Sequence, residues 1–131
     1  MLRSSSLAKI TPPSFTGIYP RERLFNLLDK ALDHPAIWIT GLPGSGKTSL
    51  VSNYLSIRGY RNLWYQVDEG DADIATFFYY MRLAVPRVTP RRGTPLPLLT
   101  PEYLKGILAF TRRYCQNLYK RLNPPFISGL R

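Results

Sequence analysis

The chain is poor in three things: it has one cysteine, one histidine and only eight carboxylate side chains among 131 residues. A lone Cys115 excludes an internal disulfide framework and a cysteine-based zinc site, and it fits a reducing compartment. His34 precedes Pro35 at an expected helix end, so general-base chemistry by histidine has little support. No uncharged run approaches the ~18 apolar residues that cross a bilayer, so a cytoplasmic protein with no membrane partner is expected. With 44% hydrophobic and 13% aromatic residues there is enough apolar mass for a packed core, which argues against wholesale disorder.

Against the scarcity of acids stand 18 lysines and arginines, for a formal net charge of +10. The excess is local. Up to residue 81 there are eight basic and seven acidic side chains, whereas beyond it there are ten basic ones and Glu102 alone. Such a region either attracts phosphate-rich polymers or is a solvated helix face whose acidic complement lies elsewhere. The second reading is preferred, so DNA binding by this chain itself is not expected.

After an extended entry segment (1–20, with Pro12, Pro13 and Pro20), residues 21–32 carry Leu24, Leu27, Leu28, Ala31 and Leu32 at helical spacing. Ala36-Ile37-Trp38-Ile39-Thr40 is too short for a helix and predicts a buried strand. A glycine-rich turn follows, then a helix over 47–57 with Leu50, Val51, Tyr54 and Leu55 on one face, closed near Gly59. Leu63–Val67 predicts a second strand, running into the acidic loop 68–73. Asp73 is placed to cap a helix from Ile74 to about Val85, with Phe77, Phe78, Met81 and Ala84 inward. Five prolines predict an extended loop over 86–101. Thr100-Pro101-Glu102 then opens a long basic helix, 102–122. Its inward stripe is read as Leu104, Leu108, Thr111, Cys115, Leu118 and Leu122, with Lys105, Arg112, Arg113, Gln116 and Lys120 outside. Asn123-Pro124-Pro125 ends it, and Phe126-Ile127-Ser128 begins a third strand. The alternation predicts an α/β fold: a partial P-loop NTPase over 21–131, with a parallel sheet of about three strands and flanking helices.

One motif carries chemistry. Gly41-Leu42-Pro43-Gly44-Ser45-Gly46-Lys47-Thr48 satisfies the P-loop pattern, between a predicted strand and a predicted helix. Glycines let backbone amides approach phosphate oxygens at the helix N-terminus. Lys47 supplies a mobile cation to the β- and γ-phosphates, the Thr48 hydroxyl ligates Mg²⁺, and Ser49 can reach the α-phosphate. ATP or ADP with Mg²⁺ is therefore the expected cofactor. Hydrolysis needs an acid at a strand end as well; Asp68 and Glu69 qualify formally, but capping and loop roles suit them better.

Lys9-Ile10-Thr11-Pro12-Pro13, Arg21 with Arg23-Leu24, the P-loop, and Leu63-Trp64 running into Asp68-Glu69-Gly70-Asp71-Ala72-Asp73 with Phe77 and Tyr80 together resemble the N-terminal NTPase domain of MalT-type regulators. These are LuxR-family bacterial transcription activators of the STAND class. The resemblance implies a nucleotide switch that self-associates when ATP is bound, with Gly41 to Thr48 on phosphate and Mg²⁺, and contact with further regulator segments. The family's Walker B aspartates belong to the strand that would begin at Pro125-Phe126-Ile127. Here Ser128-Gly129-Leu130-Arg131 follows, with neither aspartate, which implies a truncated domain that binds nucleotide without hydrolysing it. Two alternatives stay open: a small P-loop kinase or NTPase using Asp68 and the arginines after residue 82, and a basic nucleic-acid module in which Tyr103, Tyr114 and Tyr119 interleave with Arg and Lys.

Overall fold

The computed structural model describes residues 8–89, 96–122 and 127–130. Residues 1–7, Pro90 and Pro95 of the proline-rich stretch, the Asn123–Pro125 helix stop, Phe126 and the side chain of Leu104 lie outside the described residues. The chain divides into two compact units, Pro12–Tyr60 and Met1–Thr11 with Arg61–Arg131.

In the Pro12–Tyr60 unit, helix α1 (Glu22–Ala31) starts with Glu22 in its first turn and has Lys30 in its last, both placed to favour the helix dipole. Its fully buried residue is Phe25; of the expected stripe, Leu24, Leu28, Ala31 and Leu32 are half-buried and Leu27 is 54% exposed, so the inward face is shifted toward Phe25. The reason is the partner: Phe25 meets the Tyr54 ring edge-on at 5.3 Å, an aromatic contact that outweighs a leucine at the same depth. Tyr54 belongs to helix α2 (Lys47–Ile57), where Tyr54 and Leu55 are buried as expected. Asp29 of α1 ties the two helices, accepting from Tyr54 Oη at 2.6 Å and from Arg58 Nη2 at 2.8 Å. These bonds, Arg58's first, hold the Asp29 carboxyl below its ordinary range, and burial together with the Asp29 bond pushes the Tyr54 phenol up. Gly59, at φ +67°, ends α2: its amide reaches Ser56 O at 3.2 Å and that of Tyr60 reaches Leu55 O at 3.0 Å, the paired bonds of a Schellman stop.

In the other unit, strand β1 (Asn62–Tyr65) leads through a 3₁₀ turn (Glu69–Ala72) into helix α3 (Ile74–Ala84), followed by a 3₁₀ turn at Val85–Arg87. Asp73 caps α3 as expected, accepting from the Ala75 amide at 3.2 Å. A 3₁₀ stretch (Pro101–Gly106) precedes helix α4 (Ile107–Arg121), and strand β2 (Ile127–Leu130) pairs in parallel with β1, Leu63 opposite Ser128. The continuous basic helix expected over 102–122 is thus interrupted at Gly106, where glycine weakens a helix interior, and Thr100 makes no side-chain cap bond. The core gathers Leu63, Tyr65, Phe78, Met81, Ala84, Val85, Leu96, Phe110, Tyr114 and Leu122. Phe78 lies 4.9 Å from Phe110 and 4.7 Å from Tyr114. This aromatic knot turns α4 off its expected stripe: Phe110 and Tyr114 point in, Leu108 is 83% exposed, and Cys115 is half-buried rather than a core residue. Within the proline-rich stretch, residues 96–100 form no helix or strand, Leu96 is buried in the core, and Pro86 and Arg87 belong to the 3₁₀ turn.

The expected α/β architecture is overturned. More than half of the described residues are helical, and the described strands are only β1 and β2, four residues each, where a parallel sheet of about three strands was expected. Ala36–Thr40, the strand that should precede the glycine turn, forms no strand, and its Trp38 is 90% exposed. A short apolar run fixes only a preference for burial, and a strand exists only where a neighbour pairs with its backbone. This chain is therefore not a parallel-sheet P-loop fold among its described residues.

Candidate functional site: the glycine-rich loop before α2

Gly41 to Gly46 run into the first turn of α2, and two of the three glycines hold a backbone that other residues adopt only with strain. Gly44 and Gly46 have φ of +75° and +80°, the left-handed region that side-chain-bearing residues rarely enter. A Cβ on Gly46 would lie 2.5 Å from the Arg21 guanidinium, and one on Gly41 would lie 2.9 Å from Ser45 Oγ. Ser45 N closes the turn on Leu42 O at 3.1 Å. A Cβ on Gly44 would meet nothing within 4 Å, so what glycine supplies at Gly44 and Gly46 is the left-handed backbone.

The electrostatics of its mouth are positive. Gly46 caps α2 with no side-chain bond, and no acid lies in the first turn, so the leading amides of the helix have neither a capping side chain nor a counter-charge. Lys47 folds back over the loop, its Nζ donating to Gly41 O and Leu42 O, each at 2.9 Å. An ammonium has three donors, so one remains. Arg21 Nη1 reaches Ser45 O at 3.4 Å, which sets a second cation beside the loop. Ser49 Oγ donates to Gly46 O at 2.9 Å and so steadies the helix start. Leu42 and Pro43 are exposed, and Thr48 sits half-buried in the first turn.

The structure therefore brings Gly41, Leu42, Pro43, Gly44, Ser45, Gly46, Lys47, Thr48 and Ser49 into one loop and helix start within one unit. Arg21 is the added member. The sequence marks it only as one of the residues that carry the family resemblance, without a site role.

Asp68 and Glu69 have a different job. Asp68 caps the 3₁₀ turn, accepting from Gly70 N at 2.9 Å while its own amide donates to Asp71 at 2.8 Å, and its second oxygen lies 2.7 Å from Lys9 Nζ. Glu69 is exposed in that turn. Among the described residues no group of three or more His, Cys, Asp or Glu side chains is placed to hold a metal ion. None of the described helices is long and apolar enough to cross a membrane. On α4, Arg112, Arg113, Gln116 and Lys120 are exposed as expected. No family model, curated protein or solved structure matches the chain.

Proposed function

We propose that residues 41–49 bind the phosphates of ATP or ADP, with Thr48 presenting its hydroxyl to Mg²⁺, as a nucleotide switch of the kind MalT-type regulators carry. The observation that carries the reading is the pairing of Lys47 with the loop it spans. Its ammonium is held 2.9 Å from two loop carbonyls, Gly41 O and Leu42 O, and α2, which starts at Lys47, has no side-chain cap. Uncapped amides at a helix start with a cation beside them are groups that bind phosphate. Arg21 adds charge at the rim. The reading rests on this loop and α2, and it asks for no further sheet.

Binding rather than turnover is proposed, because Asp68, the acid best placed in sequence to serve a metal, is engaged with Lys9 and the Gly70 amide. A site for Mg-nucleotide suits a cytoplasmic protein. The test is amide hydrogen exchange on the full chain with and without Mg-ATP. The proposal expects slowed exchange at residues 44–49 with α4 unchanged; identical exchange at 44–49 in both conditions would defeat it.

A further inference from the structure

Helix α4 turns Phe110 and Tyr114 into the core of its own unit, against Phe78. At about 3.6 residues per turn, the side away from those rings carries Arg112, Gln116 and Tyr119, flanked by Arg113 and Lys120. Tyr119 is 75% exposed. A rise of about 1.5 Å per residue spreads the three cations over about 12 Å of one helix.

A solvated helix face is ordinarily laced with both signs of charge, yet no carboxylate side chain follows Glu102. No acid stands three or four positions to either side of Arg112, Arg113 or Lys120. The acids elsewhere are engaged: Asp68 and Asp71 with Lys9, Asp29 and Glu22 with Arg58, and Asp73 at the cap of α3. Only Asp33, Glu69 and Glu102 remain, against ten basic side chains after residue 81. The Pro12–Tyr60 unit has five basic and three acidic side chains, so it adds no acidic surplus. The solvated face expected from the charge distribution is thereby left without its complement, and a polyanion supplies one.

We propose that this face of α4 binds single-stranded nucleic acid, with its cations on backbone phosphates and the Tyr119 ring stacked on a base. Guanidinium forks match phosphate oxygens, and an exposed ring among cations suits a single strand, whose bases present flat faces that a duplex hides. An anionic membrane fits less well. The apolar side of α4 is in the core, and its outer row runs Leu108, Arg112, Gln116, Tyr119, so charge and amide interrupt the stripe that insertion requires. Binding here is independent of nucleotide on the 41–49 loop.

The experiment is fluorescence anisotropy of labelled oligothymidylate and oligouridylate titrated with the full chain, at salt from about 50 to 200 mM. Three phosphate contacts give a slope of log affinity on log salt of about −2, a roughly twentyfold loss across that range. Arg112→Gln combined with Arg113→Gln should reduce the slope to about −0.7. Tyr119→Ala should weaken binding at least about fivefold and leave the slope unchanged, since the ring contributes stacking and no charge. Circular dichroism checks that these exposed substitutions leave the helices intact. Equal affinity for the two oligomers assigns the contacts to phosphate and base face, and a preference for oligouridylate adds the 2′-hydroxyl. Absence of binding at about 50 mM salt, a slope unmoved by the arginine changes, or a Tyr119→Ala chain that binds as wild type would each overturn the proposal. So would competition by polyglutamate at equal charge, or stronger binding to phosphatidylserine vesicles.

Discussion

The Lys9 ammonium lies 2.7 Å from the Asp71 carboxylate, and each side chain is only 7% exposed. Asp71 also accepts from Tyr65 Oη at 2.5 Å, and Lys9 Nζ lies 5.3 Å from the ring centres of both Tyr65 and Tyr80. The pair fastens the residue 8–11 segment to the end of β1, where the Gln66 amide reaches Lys9 O at 2.8 Å. Burial works against both charges, yet the bonds outweigh it. Lys9, Tyr65 and the Asp68 amide hold the Asp71 carboxyl below its ordinary 3.8, and Asp68 and Asp71 raise Lys9 above 10.5.

Asp71→Asn should therefore lower stability by about 2 kcal/mol, the scale of a hydrogen bond to a charged group. The pH dependence has a definite sign. Asp71, with its folded value depressed, stabilises fully above its unfolded value of 3.8, and that contribution fades as pH falls through the lower folded value. Lys9, with its folded value raised, stabilises fully below 10.5 and loses that contribution as pH rises through the higher folded value. Urea unfolding across pH should show a shallower acid limb for Asp71→Asn than for wild type; equal acid limbs would assign the pair no role.

Gly46→Val tests the loop. The backbone stands at φ +80° and the new Cβ would meet Arg21 at 2.5 Å, so a β-branched residue there should cost about 1–2 kcal/mol from backbone strain and weaken anion binding. Gly59→Ala, at φ +67° with nothing within 4 Å, serves as the comparison: it should show the strain without the effect on binding. Thermal melts with a nucleotide titration read both.

The rotated face of α4 predicts a reversal of the leucine stripe. Phe110→Ala should cost about 3–5 kcal/mol, because it removes a ring from the Phe78, Tyr103 and Tyr114 cluster. Leu108→Ser, at an exposed position, should stay within about 0.5 kcal/mol of wild type. Chemical denaturation of the two variants decides whether the aromatics or the leucines face inward.

What could be read from the sequence was local. The helix over 47–57, its stop at Gly59 and the Asp73 cap each depend on residues within one turn of each other, and all three lie where the spacing put them. What was lost depends on distant partners. Which side of α1 or α4 faces inward is decided by Tyr54 and Phe78, many residues away, and periodicity alone cannot weigh one aromatic against two leucines. Ala36–Thr40 has strand composition, but composition cannot supply the neighbour that pairs with its backbone. Arg21 joins the loop, and Leu96 the core, by chain reversals that no short motif encodes. Asp68 and Lys9, separated by nearly half the chain, turn an apparent metal acid into a cap and an ion-pair partner.

The central claim is that a phosphate sits on the loop under Lys47. The direct measurement is a titration of the full chain with a fluorescent ATP analogue and Mg²⁺, comparing wild type with Lys47→Ala while circular dichroism monitors the fold. The account predicts saturable binding to wild type and loss of binding in a variant whose helical spectrum is unchanged. Equal affinity for the two chains, or no binding by a folded wild type, would contradict it.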